Sequence, residues 1–146
     1  MYLIAITLWV GGMWAIGYIA APVLFSSLGD RQLAGLVAGE LFALIGWIGL
    51  GAAAWLLIFL MVRWGGAVFK RAVFWLVVLM ALMVAASQFG IQPLMAQLKV
   101  DALPREVMES VLRDRFATWH GVASILDLVQ SLLGLWLVAW SGRGLR

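Results

Sequence analysis

The chain has no cysteine, one histidine and three prolines, and only 12% of its 146 residues are charged. Without cysteine there are no disulfides, no thiolate metal sites and no thiol nucleophile. A single histidine, His120, excludes a bis-histidine haem within one chain, although a dimer would supply a second ligand. No lysine-bearing phosphate loop occurs and no serine stands in a hydrolytic motif, so binding ranks above catalysis. The net charge of +3 would suggest nucleic acid in a soluble chain. Here the basic residues collect at the ends of apolar segments, where lipid headgroups are the natural partners.

Apolar residues make up 65% of the sequence and tryptophan occurs nine times, against about 45–50% apolar in ordinary soluble domains. The composition is that of an integral membrane protein. A hydrocarbon core needs about 20 residues of helix, and four segments qualify. The first, Met1 to Phe25, lacks the basic start and short apolar stretch of a signal peptide, so it reads as a retained span. Pro22 falls in its last turn. Gly29 ends it, and Asp30 is suited to cap the next helix, from Arg31 to Val62. A basic loop, Arg63 to Arg71, is flanked by Trp64 and Trp75 in the manner of interfacial aromatics.

The third span runs from Ala72 to about Met95, with Ser87, Gln88 and Gln92 in its final third before Pro93. Gln97 to Arg115 is polar, with Pro104 suited to a first helical position and Val107, Val111 and Leu112 recurring at helical spacing. This predicts a short amphipathic helix on the membrane surface or continuous with the fourth span. That span ends at Trp140, before a basic tail. The expected architecture is all-α, residues 1–146 forming a single transmembrane four-helix domain.

Gly35, Gly39 and Gly46 belong to a row of small residues at three- and four-residue spacing on the second helix. They suit a close helix contact within the bundle or a homodimer seam. His120, Ser124, Asp127 and Ser131 share one face of the fourth helix. Glu40, Gln92 and His120 fall at similar depth near the interface away from the termini, with Gln88, Ser124 and Asp127 deeper and Tyr18 in the same half. In a compact bundle these groups form a polar funnel that opens outward.

An ionisable group inside a membrane costs about 2.5–3.5 kcal/mol on insertion scales, so Asp127 needs a partner, a proton or a function. One solution is a hydrogen bond to Gln88, Ser124 or Ser131 that fixes packing. His120 serves either as a headgroup-level residue or as a metal, haem or proton-transfer group. It lies roughly 10 Å along the helix from Asp127, so Glu40 is its better partner. Glu40, His120 and Asp127 are thus the candidate ligands for a divalent metal or copper, with Tyr18, Gln88, Gln92 and Ser124 behind them.

The segments WVGGMWAIGYIAAPVLF (Trp9 to Phe25), AGLVAGELF (Ala34 to Phe42), QPLMAQLK (Gln92 to Lys99) and FATWHGVASILDLVQ (Phe116 to Gln130) together resemble a small bacterial four-helix membrane family. That family is related to the transmembrane protein associated with platinum-drug resistance. More distantly they resemble the copper-resistance D-like (CopD) membrane domain. The resemblance covers nearly the whole chain. It implies a four-helix bundle in a bacterial inner membrane and a connection with metal or metallodrug tolerance. His120 and Gly121 match the histidine and glycine of the pattern, and Asp127 stands at its amide-or-acid position. The further histidines of haem- and copper-handling relatives are absent.

These features lead to an inner-membrane protein that handles a cation or small ligand in the funnel, without nucleic acid. The alternatives are a structural subunit, with a homo-oligomer or another membrane protein as partner, and a haem- or quinone-linked redox subunit. Basic residues divide evenly between the two sides of the membrane. The compact basic loop and tail lie closest to the span ends, which favours termini in the cytoplasm.

Overall fold

The computed structural model describes residues 2–103 and 107–144. Pro104, Arg105 and the end of the basic tail, on which some expectations fall, lie outside them. Four helices are long and apolar enough to cross a membrane, and the protein is an all-α, multi-pass membrane bundle. Helix α1 spans Tyr2–Ser27, α2 Arg31–Trp64, α3 Ala72–Ala102 and α4 Arg113–Gly144.

The turns follow the sequence signals. Asp30 caps α2 as expected, its carboxylate accepting from the amides of Gln32 at 2.8 Å and Leu33 at 3.1 Å. At the far end α2 gives way to a 3₁₀ turn at Gly65–Lys70, where Gly65 takes φ 51°, a backbone angle that side chains disfavour. Trp75 donates its indole N–H to the Phe69 carbonyl at 2.9 Å, and Arg71 lies 5.0 Å above the Trp64 ring. These aromatics anchor the basic loop at the membrane surface.

Two expectations require correction. The third helix does not end near Met95 but continues to Ala102. A π-helical stretch at Ser87–Ile91 shifts the hydrogen-bond register just ahead of Pro93, which then occupies the first turn of the α-helical stretch Gln92–Ala102. At such a position the missing N–H and the ring are tolerated. The amphipathic helix before the fourth span is, among the described residues, only a 3₁₀ turn at Val107–Glu109. Ser110 stops it by donating to the Val107 carbonyl and accepting from the Leu112 amide. Val111 is 99% exposed, so its apolar spacing marks no buried face.

Packing is uneven along the membrane normal. The dry core joins Ile6, Trp9 and Val10 to Ala52, Ala53, Leu56 and Leu60, to Val73, Val77, Met80 and Val84, and to Leu137. All of these lie in the half that carries the termini. There α1 meets α4 through Tyr2–Gly11, whereas α4 follows α3 throughout and Ala21–Ser27 packs on α2. The half away from the termini has fewer buried apolar side chains and holds most of the polar groups. Many other large apolar side chains, such as Leu82 and Leu132, are exposed and face lipid.

Candidate functional site

Where the dry core ends, a half-open chamber of about 40 Å³ lies between the helices, room for roughly two or three water molecules. Trp9 and Met13 of α1, Phe42, Ile45 and Gly46 of α2, and Val84 of α3 supply its apolar wall. Ser87, Gln88 and Gln92 of α3 and Gln130 of α4 supply hydrogen-bonding groups. Among the described residues no charged side chain lines it. The π-helical stretch of α3 carries Ser87 and Gln88, and another in α1, Thr7–Gly11, carries Trp9. Each departs from α register at a residue that faces the chamber.

Gln88 is fixed by its neighbours. Its Nε2 donates to the Ala43 carbonyl at 3.0 Å, and its carboxamide lies over Gly46, where a Cβ would overlap it. A second glycine has the same use deeper down: a Cβ on Gly49 would come within 2.6 Å of Trp9 Nε1. The glycine row therefore admits side chains from α1 and α3 within the bundle. Gln130 is only 5% exposed and lines the chamber. Its carboxamide takes no part in the side-chain hydrogen bonds of the described residues, yet no fully buried polar atom there lacks a partner. Its polar atoms accordingly open on the chamber rather than on packed apolar groups.

Toward the end away from the termini the same face of α3 carries Lys99. Its Nζ donates to the Gly35 carbonyl at 3.0 Å and lies 5.8 Å from the centre of the Phe116 ring. A Cβ at Gly39 would stand 3.6 Å from that ammonium. Phe116 in turn stacks on His120, with centroids 5.9 Å apart and planes 9° from parallel.

The expected site residues fall into separate settings. Gln88, Gln92 and Gly46 meet at the chamber, and Gly35 and Gly39 border Lys99. Tyr18 donates to the Ser131 hydroxyl at 3.1 Å, which joins α1 to α4, and Ser131 donates to the Asp127 main-chain carbonyl at 2.7 Å. Ser124 is exposed and donates to the His120 carbonyl. Asp127 is half-buried, while Glu40 and His120 are exposed. Among the described residues no three His, Cys, Asp or Glu side chains are grouped so as to hold a metal ion.

Lys99, Gln130 and Trp9 are the functional candidates that sequence reasoning passed over. Gln88, Gln92 and Lys99 stand at intervals of four and seven residues, so one helical face carries all three. Gln130 follows Asp127 by three on the same helix. Lys99 was hidden by its setting in a run of mixed charge, and Trp9 by the abundance of tryptophan.

Residues 4–104 match the model of a family described as Domain of unknown function (DUF4149). The match takes in Trp9, Ser87, Gln88, Gln92 and Lys99. No curated protein and no solved structure matches the chain.

Proposed function

The chain belongs to the DUF4149 family, and we propose that it is a membrane protein that binds a small hydrogen-bonding ligand in the amide-lined chamber. The observation that carries this reading is Gln130, a residue more than nine-tenths buried in a membrane-length helix whose carboxamide lines a cavity. Buried amides without protein partners are costly unless water or a ligand meets them. Three glutamines and a serine offer donors and acceptors without charge, which suits a neutral polar group. A bacterial inner membrane with cytoplasmic termini is the setting we assign. In that orientation the chamber lies toward the outer half of the bilayer.

The metal-handling alternative draws on the resemblance to the platinum-drug-resistance and copper-resistance D-like families. It requires Glu40, His120 and Asp127 to converge on one ion. The ammonium of Lys99 in the same half of the bundle disfavours an incoming cation. A partner-subunit reading has a specific support: His120 and Ser124 are exposed on a membrane-length helix, and a second polypeptide would cover them.

The test is organic extraction and mass spectrometry of the gently purified protein, beside Gln92→Leu and Gln130→Leu variants that remain folded. A small molecule retained by the wild type and lost in both variants supports the chamber as its site. An empty wild-type preparation, or equal retention in the variants, removes it. Elemental analysis of the same samples with His120→Ala decides the metal reading: stoichiometric metal lost in that variant would replace the neutral ligand.

A further inference from the structure

The second polar feature of the outer half is separate from the chamber and stands whether or not the chamber is occupied. We propose that Lys99, framed by Gly35, Gly39 and Phe116, is a seat for the phosphodiester headgroup of an anionic lipid.

Depth is the first support. Lys99 lies one turn before the end of a membrane-length helix that closes at Ala102. It reaches Gly35, in the first turns of α2, and Phe116, in the first turn of α4. All three elements are at their membrane ends, the level of lipid headgroups.

Chemistry is the second. An ammonium group has three N–H donors, and Lys99 directs one to a main-chain carbonyl rather than to a carboxylate. Asp30, at the start of α2, is committed to the amides of Gln32 and Leu33. Glycine at 39 leaves space beside Nζ, since even a methyl there would reach only ordinary contact at 3.6 Å. The remaining donors can therefore meet an oxyanion. The Phe116 face holds the cation from the other side, an arrangement that fixes its position without neutralising it.

The direction of access favours a lipid over free phosphate. Helices α1 and α4 are joined by the Tyr18–Ser131 hydrogen bond and by contacts closer to the termini. Beyond Gly11, α1 keeps its packing on α2 while its packing on α4 thins out. The flank of the bundle between Phe25 and Phe116 thus faces the bilayer, where an acyl chain lies while its headgroup meets Lys99.

The full chain, stripped of lipid in detergent, is mixed with equimolar phosphatidylglycerol and phosphatidylcholine, and retained lipid is read by native mass spectrometry. Wild type should prefer phosphatidylglycerol about fivefold, the effect of one basic residue near a headgroup. Lys99→Gln should erase the preference and Lys99→Arg should keep it. Gly39→Leu, which fills the space while leaving the charge, should weaken it and serves if Lys99→Gln does not fold. An unchanged preference in Lys99→Gln, or in Gly39→Leu where Lys99→Gln does not fold, overturns the proposal. Excess inorganic phosphate should leave the bound lipid in place. Its complete displacement would show that the seat takes a free oxyanion and would overturn the lipid assignment.

Discussion

Gln88 of α3 lies across Gly46 of α2 and donates to the Ala43 carbonyl beside it, 3.0 Å away. This contact closes one wall of the chamber. It depends on a residue without a side chain at position 46, because the carboxamide occupies the volume that a Cβ would take.

Gly46→Leu should consequently drive Gln88 out of its position and destabilise the protein by about 1–3 kcal/mol, the usual range for overpacking. Gly51, on the same helix, has nothing within 4 Å of the place a Cβ would take. Gly51→Ala should be neutral or stabilising by up to about 1 kcal/mol through helix propensity. Thermal unfolding in detergent compares the two. Equal melting temperatures would show that Gln88 is not held where the contact places it.

The Tyr18–Ser131 bond should be a weak but measurable clasp between α1 and α4. Side-chain hydrogen bonds between membrane helices contribute about 0.6 kcal/mol on average and about 1.7 at most. A double-mutant cycle of Tyr18→Phe with Ser131→Ala should return a coupling energy in that range. Zero coupling would mean that Ser131 is satisfied by the Asp127 carbonyl alone, which it already reaches at 2.7 Å.

The four spans and the Asp30 cap were legible because each rests on local composition. About 20 apolar residues demand a helix in lipid, and an aspartate after a glycine is a strong cap signal. The continuation of α3 past Met95 was not legible, since it depends on a π-helical stretch that no residue type announces. The polar funnel was an expectation from depth alone, and of its members Gln88 and Gln92 line the chamber. Depth carries no information on rotation about each helix axis. It could not show that Gln130 lines the chamber while Ser124, six residues earlier, is exposed.

Asp127 supplies a test of the fourth helix as a membrane element. Its carboxyl is half-buried, and the nearby hydroxyls of Ser124 and Ser131 donate to main-chain carbonyls. Asp127→Leu should improve insertion of α4, by at most about 2.5–3.5 kcal/mol on the translocon scale. A glycosylation-mapped insertion assay of the isolated segment measures this. Comparing the stability of the whole folded protein then separates insertion from packing. A variant that inserts better but folds worse would locate a native partner for the carboxyl.

Gln130→Leu tests the chamber itself. The substitution replaces a buried carboxamide by an apolar group of similar size, so the hydrogen bonds it makes to water or ligand vanish together with the need for them. Removing an imperfectly satisfied buried amide should raise stability by about 1–3 kcal/mol, and the apolar lining that remains should hold less water. The Trp9 indole, which borders the chamber, provides a local reporter. In the wild type its N–H should show magnetisation exchange with bound water by NMR, and in Gln130→Leu that signal should weaken while the melting temperature rises. Loss of stability would instead show that the carboxamide bonds within the protein and fixes α4 against α3. In that case the chamber would be a packing defect, and ligand binding there would lose its physical basis.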